Sequence, residues 1–395
     1  MAREFDLLDG GWYASQPYDD WAWMREHAPV YWDAKNHTWA LTRYDDVLAV
    51  EKDAATYSSF RAPRPHGQHL PMMISFDDPE HVRRRKLVSR GFTPRRVRDH
   101  EATIRRICTS IIDRVAPKGE CDFVWEIAAP LPLLLIADML GFPPEAYDDL
   151  LRWSDDMIRG TTIDPPQEVM EAALMAGIQF REFQLGVIAD RRSKPPQDDL
   201  VSILCYAEID GDRLDDESII QESLLILIGG DETSRHVMTD GMVALLEHPG
   251  QMEILAGSLD DPRAVEIGVE ELLRWVSPIK NMARTVTREL ELRGQTLHEG
   301  DQVILMYPSA NRDAAAFDRP DTFDVRRDPN PHLAFGFGPH FCMGASLARL
   351  ELKVMFSELL RRLPDLHLAG DPLPRRSSNF ISGPEAMPVA FTPVA

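Results

Sequence analysis

The stretch PHLAFGFGPHFCMGASLARLE, residues 331–351, decides how this chain is read. Glycines, phenylalanines and a histidine crowd around one cysteine, Cys342, and the chain then enters the helix-forming run ASLARLELKVMFSELLRRL. A lone cysteine is most often packing material. Here Gly336, Gly338 and Gly344 permit close backbone approaches that side chains forbid, and a helix starting just beyond Cys342 offers free N–H groups and a positive dipole end. That setting is expected to favour thiolate over thiol. A thiolate on a glycine-floored loop flanked by aromatic rings suits axial ligation of a flat apolar macrocycle, and haem iron accepts such a ligand.

Composition limits the alternatives. At about 150 residues per domain, a chain this long could hold two or three domains or one large one. No internal repeat, low-complexity tract or Gly/Ser linker divides its 395 residues, so 1–395 reads as a single domain. A formal net charge of −21 argues against adhesion to nucleic acid or to an anionic membrane. The N-terminal MAREFDLLDGGWYASQPYDDW has no basic segment followed by an apolar one, and apolar runs such as 127–137 stop short of the roughly 20 residues of a bilayer span. The expectation is a soluble cytoplasmic protein with no membrane span. Cys108, Cys121, Cys205 and Cys342 lie far apart with no C-x-x-C pair, which argues against a zinc ribbon or disulfide framework and suits a reducing cytosol.

Two regions carry strand signals: 29–42, with β-favouring residues on either side of an Asn-containing turn, and 284–307. Between them, apolar residues at three- and four-residue spacing predict helices over 100–115, 168–191, 215–247 and 264–276. The fold class is mainly α with a smaller β-rich part.

The cysteine stretch resembles the haem-binding signature of the cytochrome P-450 monooxygenases, F-G-x-G-x-H-x-C-x-G followed by L-A-R-x-E. Phe335, Gly336, Gly338, His340, Cys342 and Gly344, then Leu347, Ala348, Arg349 and Glu351, match it without a gap. The resemblance runs along nearly the whole chain. It implies haem b between a long central helix and the cysteine-loop helix, with Cys342 as axial ligand of the iron and Phe335 and Gly344 beside the ring.

In LLILIGGDETSRH, residues 224–236, two glycines sit inside a predicted helix, where each costs about 1 kcal/mol relative to alanine. Close helix packing or a distortion that opens a groove would justify them. The string resembles the family's [AG]-G-x-[DE]-T, which implies Gly229 at the haem and Glu232 with Thr233 as an acid–alcohol pair relaying protons during O2 activation. In EELLRW, Glu271 and Arg274 lie three residues apart on one helix face, with apolar neighbours that imply burial, where the pair must be hydrogen-bonded. This resembles the family's E-x-x-R, a structural pair completed by an arginine of F-D-x-x-R, here Arg327 with Arg326 as rival. His81 and Arg85 resemble its H-x-x-x-R, and with Arg284 and His340 they match the partners of the haem propionates.

Residues 83–98 hold eight basic side chains, Arg83, Arg84, Arg85, Lys86, Arg90, Arg95, Arg96 and Arg98, in an otherwise acidic protein. They form either a solvated face or a patch that steers an acidic electron carrier. No flavin or dinucleotide fingerprint is present. Resemblance to bacterial family members therefore implies electrons from NAD(P)H through a separate reductase and a ferredoxin, docking near 83–98.

A pocket over the haem is expected to be bordered by Met72, Met73, Ile74, Leu225, Ile228, Val276, Ile279, Met282, Phe380 and Ile381, with methionines suited to a long, smooth ligand. The strings LLILIGGDET, RWVSPIKNMART and NFISGPEAMPV are similar to actinobacterial P-450s that oxidise the terminal methyl of the cholesterol or cholest-4-en-3-one side chain. That implies a steroid-catabolic hydroxylase attacking C26/C27, where positioning overrides the weaker tertiary C–H bond. A hydroxylase of a fatty acid, terpene or polyketide, a haem sensor or electron carrier, and a peroxide-using enzyme or isomerase are the alternatives.

Overall fold

The computed structural model describes residues 3–162, 165–209, 211–370 and 373–394. Its organising element is the long helix Asp216–Glu247, which Asp215 caps by accepting from the Ser218 N–H; Asp216 and Glu217 add negative charge to a first turn whose N–H groups are otherwise free. Helices Pro130–Leu140, Tyr147–Arg159, Pro262–Val276 and Ala345–Arg362 pack around it through their apolar stripes and share one core. The expected helices are found as Glu101–Val115, Gln167–Arg192, Asp216–Glu247 and Pro262–Val276.

The sheet joins chain segments far apart in sequence. Val30–Asp33 and Thr38–Leu41 form the expected antiparallel hairpin, Gln302–Met306 runs parallel to Thr38–Leu41, and Asn281–Val286 pairs antiparallel with Gln302–Met306. Tyr57–Ser58 closes the edge. This register sets Arg284 opposite Val303 on a buried strand.

Glu271 and Arg274 are buried, as their apolar flanks predict. Arg274 donates to both carboxylate oxygens at 2.8 Å and to the carbonyls of Asn311 and Pro320, also at 2.8 Å. Glu271 accepts further from the Asp324 N–H, from Asn330 and from Arg327 Nε at 3.1 Å. Arg327 is thus the third member of the cluster; Arg326 is exposed and lies 3.7 Å from Asp324. The cluster ties the helix to the segment that leads into the cysteine loop. One described segment, Phe123–Leu140, is long and apolar enough to cross a membrane, and 78% of it is buried inside the molecule, as a core helix would be.

Candidate active site

One elongated cavity lies between the long helix and the cysteine loop, with about 1470 Å³ free of protein atoms where it opens to solvent. Its floor is the loop from Ala334 to Gly344 together with the first turns of Ala345–Arg362; its opposite wall is the face of the long helix carrying Leu225, Gly229, Thr233 and Val237.

Cys342 faces this cavity, although protein surrounds it on the other sides. Two glycines let the loop pass beneath. Gly336 and Gly338 have φ of +65° and +68°, and a Cβ on Gly338 would meet the Glu51 carbonyl oxygen at 2.1 Å. The expected thiolate preference is corrected in the chain itself: burial pushes the thiol pKa up, and the Gly344 and Ala345 N–H groups with Arg85 and Arg349 offset this only in part. A cation bound at the thiol would supply what the loop lacks. Cys108, Cys121 and Cys205 are buried, as expected of packing residues.

His81, Arg85, Arg284 and His340 all converge on one edge of the cavity. The His81 and His340 rings meet at a 33° tilt with centroids 4.2 Å apart, and His340 Nε2 lies 3.2 Å from Ser59 Oγ. Burial, with Arg284, His81 and Arg85 nearby, pushes His340 down to about 2, so it is a neutral hydrogen-bonding group. A thiol on the floor, a glycine-walled slot and donors at one edge fit a haem, with Cys342 toward the iron and Arg85, Arg284, His81 and His340 toward its carboxylates.

The two glycines of the long helix have different reasons. A Cβ on Gly230 would come within 2.7 Å of Ile136, so that glycine permits close packing, whereas nothing lies within 4 Å of one on Gly229, which opens on the cavity. The helix is unbroken there. Thr233 lines the cavity and donates to the Gly229 carbonyl at 2.7 Å, closing back on the preceding turn.

Glu232 departs from the expected pairing, because adjacent helix residues point about 100° apart. It is fully buried off the cavity, bonded to Arg235 and lying 3.3 Å from His236 and 3.4 Å from Arg376. Burial alone would raise its pKa, but Arg235, His236 and Arg376 outweigh that and hold it ionised. Acid and alcohol therefore do not meet on the cavity side.

Of the expected pocket residues, Met73, Ile74, Leu225, Ile279 and Met282 line the cavity. The other five do not. Met72 precedes the short turn Met73–Ser75, Ile228 lies off the cavity face of the long helix, and Val276 packs in the core. Phe380 lies under the Arg64 guanidinium, 4.0 Å from its ring centroid, and Ile381 bridges Ile279 from behind. Phe92, Pro278 and Leu273 line the cavity unannounced, since core and cavity apolar residues share one sequence pattern.

The basic segment also divides. Arg84 turns inward between Glu80, Glu222 and the Phe76 ring, because burial of the Glu222 carboxylate demands a cation. Lys86, Arg95 and Arg98 are exposed. Within the cysteine loop, Phe337 is 42% exposed with Lys52 set over its ring, while Phe341 lines the cavity and its carbonyl accepts from Arg85.

A profile of the cytochrome P450 family matches residues 265–382, from the Glu271 helix through the cysteine loop. A steroid C26-monooxygenase of Mycobacterium tuberculosis is 47% identical over 395 residues, 99% of this chain and 98% of that one. The chain belongs to the cytochrome P450 family. A methyl-branched lipid omega-hydroxylase of the same organism is 37% identical across 99% of this P450 and 92% of its own length. A cytochrome P450 of Bacillus megaterium, solved with testosterone, superposes with a TM-score of 0.86 at 31% identity, covering 95% of this chain and 99% of that one. The mainly helical fold with small sheets is that of these P450 structures.

Proposed function

We propose that this P450 is a haem-thiolate monooxygenase that hydroxylates the terminal methyl of a sterol side chain, with cholest-4-en-3-one or cholesterol as substrate. The observation that carries the substrate class is the 47% identity to a steroid C26-monooxygenase along 99% of the chain, ten points above the match to the lipid omega-hydroxylase. The geometry supports it: Met73, Ile74, Leu225, Ile279 and Met282 make an apolar passage leading to Cys342. Entering tail first, the side chain has only one end that reaches the floor, so position rather than bond strength selects the carbon. In a spectral titration, cholest-4-en-3-one should displace water from the iron and shift its spin state at lower concentration than straight-chain fatty acids do. Tighter binding of a methyl-branched fatty acid than of any sterol would reassign the substrate.

Cys342 would hold the iron, while Arg85, Arg284, His81 and His340 would hold the propionates; haem, when bound, supplies the dioxygen-activating chemistry. Thr233 offers the cavity a hydroxyl one turn from Gly229, able to steady an ordered water and pass a proton from Oγ1. Glu232 reaches this path only by leaving Arg235 and Arg376, and otherwise anchors the helix. Thr233→Ala should keep haem and sterol binding yet send most reducing equivalents into peroxide; unchanged coupling of NAD(P)H consumption to product would remove Thr233 from proton delivery.

Electrons come from NAD(P)H through a reductase and an acidic ferredoxin in the cytoplasm, the chain acting as a single P450 domain. The ferredoxin docks over the exposed ring of Phe337, steered by Lys52, Lys86 and the cations of 83–98 that face solvent. Reversing the charge of Lys52 and Lys86 should slow reduction severalfold at low salt and far less at high salt, with sterol affinity kept. Equal rates at low salt would move the docking surface elsewhere.

A further inference from the structure

The cation cluster at the cavity edge contains a carboxylate that no sequence motif announces. Glu51 lies in the last turn of the helix Tyr44–Lys52, lines the cavity and is 4% exposed. Its Oε2 accepts from Arg284 Nη2 at 2.9 Å, and its Oε1 accepts from the Tyr307 hydroxyl. Oε1 would stand 3.2 Å from a Cβ on Gly336, so the carboxylate sits directly against the cysteine loop.

This placement changes the charge balance at the edge where the haem carboxylates would lie. Four side chains line that edge, and the permanent cations among them are the two guanidiniums. The cations are Arg85 and Arg284, and Glu51 cancels one of them. The two haem carboxylates thus face two guanidiniums, one of which already pairs with Glu51. Burial together with the Glu51 charge raises the Tyr307 hydroxyl pKa, so Tyr307 stays a neutral donor and does not compete as an anion.

We propose that Glu51 is a charge-setting and positioning residue of the haem site: it fixes the Arg284 guanidinium toward the propionates, and its negative charge, by offsetting that of Arg284, lowers the reduction potential of the bound haem. A negative charge close to the ring disfavours adding an electron, and in a buried site water screens it little. The inference rests on the haem reading of the cavity and is independent of the sterol assignment.

The test is spectroelectrochemistry of the haem-loaded protein, with the carbonyl spectrum of the reduced form recorded first to show that haem and thiolate are in place. Glu51→Gln, which keeps shape and an acceptor for Tyr307, should raise the midpoint by about 59 mV, a tenfold change in a one-electron equilibrium. Tyr307→Phe, which removes the hydrogen bond and leaves the charge, should not raise it. Should Glu51→Gln lose haem because Arg284 is left unpaired, the same substitution is made in Arg284→Gln: that single variant should lie below wild type, and adding Glu51→Gln should bring the midpoint back up. A normal carbonyl spectrum with no upward shift on losing the Glu51 charge in either background overturns the proposal while leaving the haem site intact. A rise in Tyr307→Phe equal to that in Glu51→Gln also overturns it, because packing would then set the potential.

Discussion

Cys342→His should lose sterol hydroxylation completely, and its reduced carbonyl complex should lack the strongly red-shifted Soret band of a thiolate-ligated haem. Cys342 is the sole cysteine of the chain that faces the cavity, so no neighbouring thiol can replace it. Imidazole can still ligate iron, so the variant is expected to retain some haem with a different spectrum. The glycines under the loop are unaffected by the change, which separates ligation from folding. The check is a pair of readings on one preparation, circular dichroism for the fold and the carbonyl difference spectrum for the ligand. A wild-type spectrum in a folded Cys342→His protein would remove the thiolate from this account.

Arg274→Ala should destabilise the fold by about 3–5 kcal/mol, the usual cost of leaving one half of a buried ion pair unmatched. Against a total stability of about 5–15 kcal/mol this is enough to prevent recovery of a haem-bound protein. The loss goes beyond Glu271: the carbonyls of Asn311 and Pro320 lose their donor at the same time. Arg274→Lys should rescue little, since an ammonium cannot reproduce two parallel bonds to the carboxylate together with those to the carbonyls. Denaturant unfolding of the variants measures this; a drop below about 1 kcal/mol for Arg274→Ala would mean that Arg327 alone satisfies Glu271.

The central parts of this site were legible because they are local. Cys342, its glycines and the helix after it occupy one stretch, and Glu271 with Arg274 are three residues apart, so spacing alone carries their relation. The helix pattern likewise follows from apolar periodicity, which the observed bounds match within two residues at each end. What escaped depends on contacts between distant segments. Glu51 meets Arg284 and Tyr307 across more than 230 positions, and no local pattern foretells it. Glu232 was read beside Thr233 because they are adjacent, yet adjacency in a helix separates side chains, and Arg376 from near the C-terminus captures the carboxylate. Phe380 was read from an apolar string as a cavity residue, but Arg64, from the segment before Met73, covers its ring. Arg84 shows the same limit for charge: a run of basic residues says nothing about which one is drawn inward by a buried acid such as Glu222.

The central claim is tested most directly by incubating the purified protein with cholest-4-en-3-one, a ferredoxin, its reductase and NADH, then locating the inserted oxygen by mass spectrometry and NMR. The expected product is oxygenated at a terminal methyl of the side chain, with the tertiary carbon untouched. Turnover that places oxygen on the ring system or the tertiary carbon, or no sterol turnover while a branched or straight fatty acid is hydroxylated under the same conditions, would contradict it.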